Sequence, residues 1–252
     1  MVKPRIVCHF SCGAASAVAA KLTIAQHGEV EIINAYIEEE DKDNRRFLAD
    51  CERWFGRKVT VLRDEKYGAS TDEVWKRERY MRGLRGASCT RALKGKLLDE
   101  FRRPGDVTMI GYTADEQDRF DNFVERFPAV TAKAPLIEAG LSKADCLAMV
   151  ERAGIELPLM YRLGYRNANC IGCIKGGKGY WNKIRVDFPE RFEAVAAIEE
   201  GLGATAYLFP PKKLGGPRTS LRDLQPHEGR HQKEPVISCG FFCDMAEEEI
   251  NG

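Results

Sequence analysis

The sequence predicts an α/β protein built on a mainly parallel sheet. Three observations carry this. Short β-rich runs recur through the first half of the chain. Stretches with apolar residues at helical spacing lie between them. The first run passes through a turn of small residues into an Ala-rich segment. Strands alternating with helices form crossover units, and the helices then cover both faces of a parallel sheet.

Pro4–Phe10 (PRIVCHF) is the first strand, and Ser11–Ser16 (SCGAAS) opens a helix running to Gln26. Val30–Ile37 is the second strand. Asp43–Phe55 follows as a helix, with Phe47, Leu48, Cys51, Trp54 and Phe55 at helical spacing. Lys58–Leu62 alternates as a short strand. Thr71–Met81 and Arg91–Phe101 are charged helices. Asp106–Tyr112 is a strand, Ala114–Phe127 a helix, and Val130–Leu136 a strand running into Pro135. Ser142–Ala153 is a helix with Ser142 as N-cap, and Pro189–Gly201 is another. Residues 203–237 are rich in Pro, Gly and basic residues and read as an irregular or mobile connection. A boundary is expected near Leu136–Leu141. It separates a nucleotide-binding domain, 1–138, from a C-terminal metal-binding region, 139–252, that includes the irregular basic linker and a cysteine tail.

The 252 residues hold 39 basic and 38 acidic side chains, a net charge of +1, so bulk charge argues for neither nucleic acid nor a membrane surface as partner. No apolar run approaches the ~20 residues of a membrane span. MVKPRIVCHFSCG is a poor secretory signal, and a cytoplasmic location is expected. Nine cysteines, an odd number, do not suggest a disulfide framework for such a chain.

The small residues of this turn let the backbone approach a phosphate, the helix start offers free N–H groups and a positive dipole end, and Ser11 and Ser16 add hydroxyl donors around Cys12 and Gly13. An ordinary tight strand-to-helix turn has the same residues. Neither a Walker loop nor GxGxxG is present. Cys170 and Cys173 form a C-x2-C pair around Gly172, a spacing that chelates zinc or an iron–sulfur centre. Cys8, Cys51 and Cys146 lie in strand or helix patterns and read as buried, inert thiols. Arg91 and Lys94, one helical turn apart, are candidates for phosphate. Glu116 and Arg119 share a helix face after a strand end; they are candidate site residues or an ordinary surface pair. Lys175, Lys178 and Lys183 with Tyr180 and Trp181 suggest either a nucleic-acid grip or solvated lysines with Trp181 packed over the thiols, and we favour the second. The basic linker (Lys212, Lys213, Arg218, Arg222, Arg230, Lys233) leaves the same two readings.

Five segments, FSCGAAS, NAYIEEED, ASCTRALK, IGYTADEQDR and NCIGC, stand in an order that resembles the phosphoadenosine phosphosulfate (PAPS) reductase family of the PP-loop, adenine-nucleotide α-hydrolase superfamily. The resemblance covers roughly residues 4 to 190 and implies a Rossmann-like sheet. Ala15 stands where ATP-cleaving members carry Asp, and Cys12 replaces a Gly; in this the loop is closer to the sulfonucleotide reductases. Glu38, Glu39, Glu40 or Asp41 is a substitute carboxylate for magnesium, or else a solvated acidic turn. The resemblance implies nucleotide binding by Ser11, Cys12, Gly13, Ser16, Arg91 and Lys94, and a [4Fe-4S] cluster on Cys89, Cys170 and Cys173, with Ser88 at the fourth position. Cys239, in a partial match to a nucleophile-bearing ECGLH tail, is either cluster ligand or nucleophile, with Cys243 as the other tail thiol. Glu116 and Arg119 join it as catalytic candidates.

Three functions follow from this reading. The first is reduction of a sulfonucleotide, with an adenine nucleotide (ATP or adenylyl sulfate type) as ligand and a reductant or sulfur-donor protein as partner. The second is ATP-dependent sulfur transfer to a nucleic-acid base through an open-site cluster. The third is a zinc-stabilised, non-catalytic nucleic-acid-binding module.

Overall fold

The computed structural model describes residues 3–83, 86–203, 206–209, 218–235 and 237. Its elements in chain order begin with β1 (Ile6–His9), α1 (Ala14–His27), β2 (Glu31–Ala35), α2 (Asp43–Phe55), β3 (Thr60–Leu62) and α3 (Thr71–Glu78). A short ribbon, β4 (Arg82–Gly83) and β5 (Gly86–Ala87), precedes α4 (Ser88–Thr90), a π-helical turn Arg91–Gly95 and α5 (Lys96–Phe101). Then come β6 (Val107–Met109), a 3-10 turn Ala114–Glu116, α6 (Gln117–Arg126), β7 (Thr131–Lys133), α7 (Pro135–Glu138), α8 (Lys143–Arg152) and α9 (Leu159–Arg162). Two longer helices, α10 (Lys178–Asp187) and α11 (Pro189–Leu202), follow. Among the described residues, no helix is long and apolar enough to cross a membrane.

The chain folds as two compact units. The first is Met1–Tyr36, Asp41–Arg63 and Leu97–Ala168; the second is Ile37–Glu40, Asp64–Lys96 and Asn169–Gly252. The first unit carries a five-stranded, all-parallel sheet of order β3-β2-β1-β6-β7. β1 is central, with Val7 opposite Glu31 on one side and Ile6 opposite Val107 on the other. The expected α/β class with a Rossmann-like sheet is what the chain adopts. The order reverses direction at β1, and ligands of open parallel sheets bind at the carboxyl ends of strands beside such a switch point.

The central strands are buried on both faces, with Val7, Ile33 and Thr108 covered as well as Cys8, Ile32 and Met109. Cys8, Phe10, Ile32 and Met109 pack with Ala17, Val18 and Ala20 of α1, Phe47, Cys51 and Phe55 of α2, and Cys146 and Val150 of α8. The alanines let α1 lie close to the strands. The Phe10 and Phe55 rings meet edge to face at 5.6 Å. Phe47 is fully buried, and truncating it to Ala is worth about 3–5 kcal/mol. Ser142 and Asp145 form a reciprocal capping box at the start of α8, as Ser142 promised.

The unit boundary differs from the expected one at 138/139. Residues 139–168 stay with the sheet, because α8 buries Cys146 and Val150 in its core. Residues 64–96, inserted between β3 and β6, join the C-terminal segment instead. A linear cut cannot describe this interleaving.

The second unit has its own core of Trp75, Met81, Leu93, Trp181, Ile184, Phe192 and Val195. The N-terminus of α3 is closed by Glu39, which accepts from Ser70 Oγ at 2.6 Å and Thr71 N at 2.8 Å. Arg191 of α11 grips Asp72 of α3 through two N–H groups, at 2.7 and 2.8 Å. Residues 218–235 are irregular, as expected, yet well held. Asn182 donates to the carbonyls of Gln225 and Glu228, and Lys178 pairs with Glu228 at 2.6 Å.

Candidate nucleotide loop and thiol turn

In the first unit the carboxyl end of β1 runs through Phe10–Gly13 into α1. Cys12 has φ +56, a left-handed conformation that costs a non-glycine residue about 1–2 kcal/mol, and its side chain is fully buried. The burial anchors it: Asn34 Nδ2 lies 3.6 Å from its Sγ and donates to Phe10 O at 2.8 Å. Ser16 Oγ accepts from Ser11 N at 3.1 Å and donates to Gly13 O at 2.9 Å. Ser16 is therefore a brace within the loop, whereas Ser11 is exposed. The N-cap residue Gly13 brings no capping side chain to α1, and the amino end of a helix favours an anion.

Sequence reasoning missed the other walls of this loop. The Tyr161 hydroxyl bonds to the Ala14 and Ala168 amides and stands 3.2 Å from where a Cβ on Gly13 would lie. Lys143 Nζ sits 5.9 Å from the Tyr161 ring centroid and bonds to Arg166 O and Asn167 Oδ1. Burial lowers its pKa, with Glu116 opposing that shift. At the carboxyl end of β2, the Arg45 and Arg63 guanidiniums each lie 4.7 Å from the Tyr36 ring centroid, and Arg45 donates to Asn34 Oδ1 at 3.3 Å. Asn34 and Tyr36 stood in the NAYIEEED segment. Nothing in sequence singled out Lys143 or Tyr161, because their relation to the loop exists only in three dimensions.

Glu116 closes a capping box, accepting from Thr113 N and Oγ1 at 3.1 Å, and pairs with Arg119. Arg119 lies over the Tyr112 ring at 5.5 Å. These contacts give both residues an architectural role at the end of β6. The Cys8 thiol is pushed up to about 12 and Cys146 to about 11, and Cys51 is also raised, each chiefly by burial. Such thiols are inert.

In the second unit, Glu39 and Glu40 are not a solvated acidic turn. Glu39 caps α3, and Glu40 is buried 3.8 Å from Lys94. Arg91 and Lys94 do not act as one pair. The π-helical turn leaves Arg91 exposed, 3.8 Å from Glu78, and directs Lys94 to Glu40. Cys89 precedes that turn on α4 and is partly exposed. Its neighbour Ser88 donates to Tyr80 O at 2.8 Å.

The Cys170–Cys173 turn is bound on nearly every backbone group. Ile171 N donates to Glu39 O at 2.9 Å, and Arg191 Nε donates to Ile171 O at 3.0 Å. The buried Tyr180 hydroxyl accepts from Gly172 N at 3.1 Å and Cys173 N at 3.0 Å, and donates to Cys170 O at 3.2 Å. Gly172 has φ +74, which favours glycine there. Trp181 packs against it: a Cβ would stand 3.2 Å from the ring. Lys178 and Lys183 pair with Glu228 and Asp187, so they are ion-paired where solvated lysines were expected. The glycines there serve packing: side chains on Gly179 or Gly229 would overlap the facing backbone.

Cys89, Cys170 and Cys173 thus belong to one unit. Among the described residues no three His, Cys, Asp or Glu side chains are gathered as a metal-holding group. Cys239, Cys243, Lys212 and Lys213 lie outside the described residues. Thiolates are the donors a zinc or iron–sulfur centre takes, and these three cysteines stand in one unit. Trp75 Nε1, Trp181 Nε1 and Thr90 Oγ1 are buried without a hydrogen-bond partner among the described residues. Buried donors without acceptors are rare. Thr90 adjoins Cys89 in the sequence, and the six-membered ring of Trp181 packs on Gly172 of the C-x2-C turn. No family model matches the chain, and no curated protein matches it.

Proposed function

We propose that the protein is a PAPS reductase-like enzyme that binds an adenine nucleotide at the Ser11–Ser16 loop, reduces a sulfonucleotide and carries an iron–sulfur cluster. The observation that carries this is the loop itself: a helix start with glycine at its N-cap, at the switch point of a parallel sheet, with Arg45 and Arg63 on Tyr36 at the end of β2 and Lys143 on Tyr161. The α1 amides hold phosphate oxygens, and the cations neutralise them. Cys89, Cys170 and Cys173 would hold the cluster, which would supply iron–sulfur chemistry when bound. Cys239 thiolate attacks the sulfo sulfur; the S–O bond to phosphate breaks, and the nucleotide leaves with the electron pair. A second thiol, from a reductant, then attacks the Cys239 sulfur of the thiosulfonate. Sulfite departs and a disulfide remains. A cytoplasmic setting suits thiol chemistry of this kind.

Protein purified without oxygen is expected to be brown, to contain iron and acid-labile sulfide, and to release sulfite from adenylyl sulfate or its 3′-phosphate with a thiol reductant. Colourless protein carrying stoichiometric zinc would refute the reading and favour the non-catalytic module. A second reading, ATP-dependent base thiolation through an open iron, draws support from Ser88, whose hydroxyl is committed to backbone carbonyls and leaves the fourth cluster position without a ligand there. It predicts AMP or pyrophosphate release only with nucleic acid present.

A further inference from the structure

A C-x2-C turn presents its thiols to one centre only if its backbone holds a defined shape. In such turns the amides after the first cysteine commonly face sulfur, and hydrogen bonds to sulfur tune the centre. Here the Gly172 and Cys173 amides are committed to oxygen. Both donate to the Tyr180 hydroxyl, at 3.1 and 3.0 Å, and that hydroxyl donates onward to Cys170 O at 3.2 Å. One phenol oxygen thereby joins both ends of the turn. Tyr180 is itself fixed. Its amide donates to Glu234 Oε2 at 2.9 Å, the Gly179 amide donates to Glu234 Oε1 at 2.5 Å, and its ring meets Trp181 edge to face at 5.8 Å.

We propose that Tyr180 is the positioning residue of the thiol turn: its hydroxyl takes up the Gly172 and Cys173 amides and so presets Cys170 and Cys173 to bind one metal centre. This rests on the reading of those cysteines as ligands. Glu234 acts behind it, holding the start of α10 so that the phenol reaches the turn. Phenylalanine at 180 keeps the ring and its packing but deprives two buried amides of their acceptor. The thiols lose their preset spacing while the hydrophobic core is retained.

The test uses the full chain, freed of metal under reducing conditions and titrated with Co2+ as probe. Wild-type protein is expected to develop an intense thiolate-to-cobalt charge-transfer band. Y180F is expected to bind Co2+ about 10–100-fold more weakly, with the band shifted and the far-ultraviolet circular dichroism unchanged. A second variant, Glu234→Gln, keeps one acceptor for the α10 amides and should fall between the two. If Y180F reproduces the wild-type affinity and spectrum, Tyr180 has no positioning role. If the wild type shows no thiolate band at all, the ligand assignment fails first and takes this inference with it.

Discussion

Gly111, at the end of β6, and Ser16, in the first turn of α1, meet backbone to backbone. A Cβ on Gly111 would stand 2.9 Å from Ser16 Cα and 3.1 Å from Ser16 N. Neither atom can move without moving the loop brace that Ser16 supplies. Gly111→Ala is expected to cost about 1–3 kcal/mol in urea unfolding and to weaken AMP binding at least tenfold by calorimetry. An alanine variant with unaltered AMP affinity would separate the loop from nucleotide binding.

Lys143 Nζ lies over the Tyr161 ring at the loop, 5.9 Å from its centroid. Lys143→Met removes its charge but keeps most of its length. Pyrophosphate affinity should drop about tenfold, equivalent to ~1.4 kcal/mol. Tyr161→Phe leaves the Ala14 and Ala168 amides without their acceptor and should lower stability by about 1–3 kcal/mol. Full pyrophosphate affinity in the Lys143 variant would remove that residue from the site.

Arg191 ties three parts of the second unit: Asp72, Thr71 and the Ile171 carbonyl of the thiol turn. Arg191→Met keeps the aliphatic stem and leaves the Asp72 carboxylate unpaired. A loss of about 1.5–3 kcal/mol is expected, together with faster alkylation of Cys170 and Cys173 as the turn loosens. Alkylation at the wild-type rate would show that the turn keeps its shape without Arg191.

Ile237 O accepts from Asn169 Nδ2 at 2.9 Å, immediately before Cys170. Cys239 follows two residues later in the sequence. Cys239→Ser is expected to retain iron and sulfide but release no sulfite, as a nucleophile variant must. Iron loss in that variant would instead make Cys239 a ligand.

His9, at the end of β1, is held neutral. Burial, then Arg102, lowers its pKa to about 4 from 6.5. The unfolded chain therefore takes up this proton first as pH falls. Stability from this group is complete above pH 6.5 and declines between 6.5 and about 4, by at most ~1.4 kcal/mol per pH unit. Denaturant midpoints measured from pH 7.5 to 4.5 should show this decline, and His9→Gln should flatten it.

Periodicity placed the sheet strands and helices because each carries its own local pattern: an alternation of residue types in Lys58–Leu62, a helical stripe in Asp43–Phe55, and an alanine face on α1. The C-x2-C spacing and the small-residue loop are equally local and equally legible. The partners were not. Tyr161 and Lys143 reach the loop from more than a hundred residues away, and Glu39 changes from an acidic-turn residue to the cap of α3 only when Ser70 and Thr71 are brought to it. Arg91 and Lys94 looked like one face because sequence counts helical turns at a fixed period, and the π turn breaks that period. Local propensity is written in consecutive residues; which polar group answers which, and where two interleaved units divide, is decided by the packing of segments distant along the chain.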